Sequence, residues 1–150
     1  IRLTPSIAAR RLVWMSEEAE TVPAGQEPPA EEITTGMQTV VVAISAATLA
    51  SVAEGQFQDL VKAVVDVRRG IMVVGGDMHA DEEALLLADG SEQWDLWGIN
   101  LHPDRYGTSD FIEYDSVINI RPRQNNRSRA VEDGEARAAI VAIVNRLVTG

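Results

Sequence analysis

Residues 61–74 carry the pattern that most restricts the fold. Val61, Ala63, Val65 and Val67 alternate with Lys62 and Asp66, the period of a half-buried strand. Arg68-Arg69-Gly70 follows as a tight turn, and Ile71–Val74 is a second β-branched run, so the segment predicts a hairpin. Leu96–Leu101 and Phe111–Ile120 predict a further strand pair, joined by a loop that contains Pro103 and Gly107. Two hairpins and few strand–helix–strand alternations favour a largely antiparallel sheet over a doubly wound one.

Helices fall between these strands. A strand over Thr39–Ile44 leads to Ser45, an N-cap for a helix through about Glu54. Ala80–Ala88 carries acids in its first turn, where the helix dipole favours them, and Asp89-Gly90 supplies a stop. A last helix is capped at Asp133 or its neighbours and places Ala136, Ile140, Ile143, Val144, Leu147 and Val148 on one face. The expected fold class is α+β, a two-layer domain with its helices on one face of the sheet and the order β-α-β-β-α-β-β-α.

That domain occupies residues 37–150. Residues 15–36 hold six acids, three prolines and no base, too little apolar surface to offset the entropy of ordering. Residues 1–36 are therefore expected to be a disordered tail or linker, or to lie upstream of a start at Met15 or Met37. The uncharged run 37–53 is shorter than the roughly 20 apolar residues of a membrane span and has no basic region before it, which predicts a cytoplasmic protein without membrane partners. The formal charge of −10 repels phosphate and argues against nucleic acid. The absence of cysteine removes thiol catalysis and thiolate metal sites. The phosphate-loop pattern GxxxxGK[ST] is absent, and the residues name no cofactor.

Charge is segregated within the domain. Residues 77–95 carry seven acids and no base, whereas Arg121, Arg123, Arg127 and Arg129 fall within nine residues without an acid. Guanidinium groups suit carboxylate and phosphate, so the arginines either pair with the acids of 77–95 or receive an anion. In the second case Arg121 and Arg127 would contact a small anionic or polar ligand, Asn100, Asn119 and Asn126 would orient it, and Trp97 would form a wall. Strand alternation puts Ile112, Tyr114, Ile118 and Ile120 on one side and Glu113, Asp115, Asn119 and Arg121 on the other. On the partner strand Trp97, Ile99 and Leu101 share the apolar side, and Gly98, Asn100 and His102 share the polar one, which makes that sheet face a candidate recognition surface. Gly75-Gly76 precedes His79 and Asp81 at a helix start. These two are the candidate catalytic pair of a hydrolytic or metal-assisted enzyme, although the spacing matches no metal motif. A third expectation is an interaction module, a homodimer through a sheet edge.

The stretches GGDMHAD, DGSEQWDLWGIN and INIRPRQNNRS resemble an uncharacterised bacterial family, domain of unknown function 5674, over residues of about 38–148. The resemblance implies a small stand-alone domain and no particular chemistry. It includes His79, Asp81, Trp97, Asn100, Asn119, Arg121, Asn126 and Arg127, and it leaves residues 1–36 outside.

Overall fold

The computed structural model describes residues 36–150, so the expectations for the tail lie, save for Gly36, outside the described residues. Strands β3 (Val61–Asp66) and β4 (Ile71–Val74) form the expected antiparallel hairpin, with Asp66 opposite Ile71. Asp66 closes its turn. One carboxylate oxygen accepts the N–H groups of Arg68 and Arg69, each at 2.9 Å, and the other accepts the Ser91 hydroxyl at 2.6 Å. Gly70 takes a φ of +72°, a conformation that costs a residue with a Cβ.

Five other strands build on or beside this hairpin. Strand β5 (Leu96–Leu101) pairs with the free edge of β3, β1 (Gln38–Val40) pairs with β4, and β6 (Ile112–Glu113) pairs with β5. The sheet order is β1-β4-β3-β5-β6, antiparallel throughout. A separate parallel pair joins β2 (Ile44–Ser45) to β7 (Val148–Thr149). Helix α1 (Ala46–Gly55) starts where expected, with the Ser45 hydroxyl accepting the Thr48 N–H at 3.0 Å. Helix α2 spans His79–Ala88 and α3 spans Gly134–Leu147, the latter capped by Asp133. The class is thus α+β with a mainly antiparallel sheet.

The helix placement departs from the two-layer expectation. The larger core joins Val61, Ala63, Val65, Trp97, Ile99 and Leu101 of the sheet to Leu49 and Val52 of α1 and Ile140, Val144 and Leu147 of α3. A second core on the opposite face joins Val64, Val73, Ile71 and Leu96 to Leu86 of α2. Helices therefore cover both faces. The reason lies in β3: Lys62 and Asp66 mark its even positions as polar, but Val64 between them is apolar and fully buried. Leaving Val64, Val73 and Leu96 in water would cost about 1.5–3 kcal/mol per side chain, and α2 covers them.

The second departure is the expected strand Phe111–Ile120, which ends at Glu113. The Ser116 hydroxyl accepts the Ile118 N–H at 3.2 Å and starts a 3-10 turn over Val117–Asn119. Short polar side chains that bond nearby backbone compete with strand pairing in this way. Tyr114 consequently packs on the α1–α3 core and Ile118 on the α2 core, and Ile120 is exposed. Among the described residues no helix is long and apolar enough to cross a membrane.

Candidate functional site

The segment from Arg121 to Arg129 is occupied with its own architecture. Asn126 is buried. Its Nδ2 donates to the carbonyls of Asn119, Ser128 and Ala130 at 2.8, 3.2 and 2.6 Å, and its Oδ1 accepts the Glu132 N–H at 2.8 Å. Asn119, also buried, accepts the Gly98 N–H at 2.8 Å and donates to the carbonyls of Gly98 and Arg129 at 3.0 and 2.9 Å. It takes the place that a neighbouring strand would take beside β5. Arg121 stacks 4.3 Å over the Trp97 ring and donates to the carbonyls of Ile118, Gln93 and Leu96.

The arginines do not meet the acids of residues 77–95 as expected. Arg129 pairs with Asp115 at 2.5 Å, while Asp89 and Asp95 pair with Arg69 and Arg68 of the hairpin turn at 2.8 and 3.1 Å. Arg127 is exposed, and its backbone N–H donates to Glu132. The six residues expected to share a ligand do not converge on one place. Trp97 faces α1 and α3, whereas Asn100, three positions on along the same strand, faces the α2 side.

A different set does come together there. Strand register puts Lys62 beside Asn100 and Asn100 beside Glu113. The three form a row on the α2 side of the sheet, roughly 10 Å long at two interstrand spacings. Asn100 Nδ2 donates to Glu113 Oε1 at 3.2 Å and to the Asp115 carbonyl at 3.4 Å. These two acceptors fix the amide's orientation, and they leave Oδ1 buried with no hydrogen-bond partner. His102 Nε2 lies 2.9 Å from the same Glu113 oxygen, and its Nδ1 is likewise buried and unpartnered. Lys62 holds its ammonium 5.0 Å from the centre of the Phe57 ring, at the end of the row away from Glu113.

Helix α2 adds His79 and Glu82, three positions apart on its buried face. The His79 ring approaches the sheet closely because residue 98 is glycine: a Cβ there would stand 2.7 Å from Ser116 Oγ and 3.2 Å from His79 Cδ2. His79 Nε2 lies 2.7 Å from the Ile99 carbonyl. A carbonyl only accepts, so Nε2 carries the proton and Nδ1 carries the lone pair. No described residue meets Nδ1. Burial pushes the imidazole pKa below its ordinary value of 6.5, with the Ile99 carbonyl opposing, and Lys62, Asp115 and Arg129 are near enough to bias it in turn. Glu82 is fully buried. Its Oε2 accepts the Gly76 N–H at 2.8 Å, its Oε1 has no partner, and burial raises its pKa well above 4.5. Gly76 makes this fit possible, since a Cβ there would lie 2.7 Å from Glu82 Cγ.

Of the expected catalytic pair, only His79 belongs to this cluster. Asp81 is exposed on the outer side of α2, and Glu82 holds the inward position. The three-residue step from His79 was the available signal for Glu82. For Lys62 the signal was its place as the one base in β3. Among the described residues no three histidine or acidic side chains are arranged to hold a metal ion.

Two comparisons returned nothing: no curated protein and no solved structure matches the chain. The family described as protein of unknown function (DUF5674) matches it over residues 38–147.

Proposed function

The chain belongs to the DUF5674 family of proteins of unknown function, and we propose that its domain binds a small polar or anionic molecule over the Lys62–Asn100–Glu113 row. The observation that carries this reading is Asn100 Oδ1, a buried acceptor of fixed orientation with no donor in the protein. An unmet buried group of this kind costs about 1–3 kcal/mol, which a ligand N–H or O–H recovers. Lys62 at one end of the row suits an anionic group on the same ligand. Glu113, whose second carboxylate oxygen accepts nothing from the described residues, suits a donor at the other. Amino acids and hydroxy acids have this combination.

The anion is therefore assigned to Lys62 rather than to Arg121, whose guanidinium already serves three carbonyls. Asn119 and Asn126 support the loop beneath and do not face the ligand.

The test is a thermal-shift screen of amino acids, hydroxy acids, nucleosides and inorganic phosphate, run on the wild type and on Asn100→Leu. A ligand that binds only the folded state raises Tm by linkage. The expected result is a rise of several degrees with one class in the wild type, absent in the variant. A wild type that no class shifts, or a variant that keeps the shift, overturns the proposal.

A further inference from the structure

We infer that the ligand of this site is an amino acid, held by its ammonium group against Asn100, His102 and Glu113. The inference rests on the binding reading and narrows it. Amino acids and hydroxy acids both bring a carboxylate to Lys62, and they differ in how many hydrogens they bring to the other end of the row.

His102 decides between them. It lies just past the end of β5, where its N–H still bonds the Phe111 carbonyl at 2.9 Å, and it follows Asn100 by two positions. The two side chains therefore leave the strand on the same side. Both reach one atom: Glu113 Oε1 stands 3.2 Å from Asn100 Nδ2 and 2.9 Å from His102 Nε2. A carboxylate oxygen only accepts, so Nε2 carries the proton and the neutral ring presents a lone pair at Nδ1. His102 is 7% exposed. Its Nδ1, like Asn100 Oδ1, is buried without a hydrogen-bond partner. One oxygen of Glu113 thus orients two side chains, and each is left with an unmet acceptor.

Glu113 supplies a third acceptor and the charge. Its Oε2 accepts nothing from the described residues, and its side chain is 46% exposed, so an incoming group meets it first. Among the described residues no arginine or lysine pairs with it, and Arg129 is taken by Asp115. Three acceptors, one of them anionic, are complemented by three N–H bonds and a positive charge. A primary ammonium is such a group. A hydroxyl has a single hydrogen, so it would meet one acceptor and leave another buried and unpaired, which is the strongest basis a polar site has for rejecting an analogue. Lys62 at the β3 end and Glu113 at the β6 end also give the row a cation and an anion in the order that a zwitterion reverses.

The test uses the full chain, titrated with the protein amino acids, with 4-aminobutanoate and with zinc chloride. The 2-hydroxy acid matched to whichever amino acid raises Tm most is then compared with it (lactate for alanine, malate for aspartate). The expected result is that the amino acid binds at least about ten-fold more tightly than its hydroxy counterpart. That ratio should fall several-fold in His102→Phe, which keeps a planar ring and removes both nitrogens. A hydroxy acid that binds as tightly as its amino counterpart overturns the inference and leaves the binding proposal standing, as does a ratio that His102→Phe leaves unchanged. A shift with zinc chloride and with no amino acid overturns it too. A protein that neither these probes nor the nucleosides and phosphate shift loses both readings. The tautomer is testable without ligand or mutation. The chain has two histidines, and a long-range proton–nitrogen NMR spectrum at pH 8 should show His102 protonated at Nε2. A proton on Nδ1 would make that atom a donor and overturn the inference.

Discussion

Two buried asparagines show how the same residue type serves opposite ends. Asn126 has every polar atom of its amide bonded to backbone, four bonds in all, none longer than 3.2 Å. Asn100 is nearly as well buried, yet its donors make two long bonds and its acceptor makes none. The first amide organises a loop, and its energy goes into stability. The second holds an unmet acceptor in place, which stability alone would not favour. The arginine- and asparagine-rich loop satisfies its buried amides with its own backbone.

The largest effect expected from this contrast is in Asn126→Ala, which strands three carbonyls and an N–H. Urea denaturation should show a loss of about 3 kcal/mol or more; a loss under about 1 kcal/mol would break the contrast at its structural end. Next comes Gly98→Ala. Its new Cβ meets Ser116 at 2.7 Å and His79 at 3.2 Å, so a cost of about 1–3 kcal/mol is expected, together with displacement of the imidazole. That displacement is readable as a change in the His79 NMR shifts, and unmoved shifts would show that glycine is not what seats the ring.

Glu82→Gln is expected to act through pH. The Glu82 carboxyl has a folded pKa above its ordinary 4.5, so the folded state holds a proton that the unfolded chain has released. Stability from this group is complete below pH 4.5 and is lost as pH rises through the folded value. Glutamine keeps an acceptor for the Gly76 N–H and has no proton to lose. The variant should therefore gain stability over the wild type as pH rises above 4.5, and Tm measured across that range will show whether the two curves diverge. His79 runs the other way. Its folded pKa lies below 6.5, so its contribution is present above 6.5 and is lost as pH falls through the folded value.

Much of the fold was legible in the sequence. The hairpin at residues 61–74, the Ser45 and Asp133 caps, and the stop at Asp89-Gly90 all rest on local chemistry, and local chemistry decides them. The layer arrangement was not legible, because a single residue, Val64, changes which face of β3 needs cover, and alternation among its neighbours masks it. The strand expected over Phe111–Ile120 failed at Ser116 and Asn119, whose side chains bond backbone that a strand would have paired. At the proposed site, His79 and Asn100 stand out in the sequence, and strand register adds Lys62 and Glu113 beside Asn100. Asp81 was the nearer acid in sequence. Helical geometry turns it outward and Glu82 inward.

The proposed function requires that Asn100 be kept for a ligand and not for the fold. Its most direct test is the urea stability of Asn100→Leu, measured beside Asn126→Leu. Leucine removes the unmet acceptor along with two long hydrogen bonds, so a change of no more than about 1 kcal/mol in either direction is expected for Asn100→Leu. Asn126→Leu should lose several times that. Equal losses of about 3 kcal/mol in both variants would contradict it, and would make Asn100 one more structural amide.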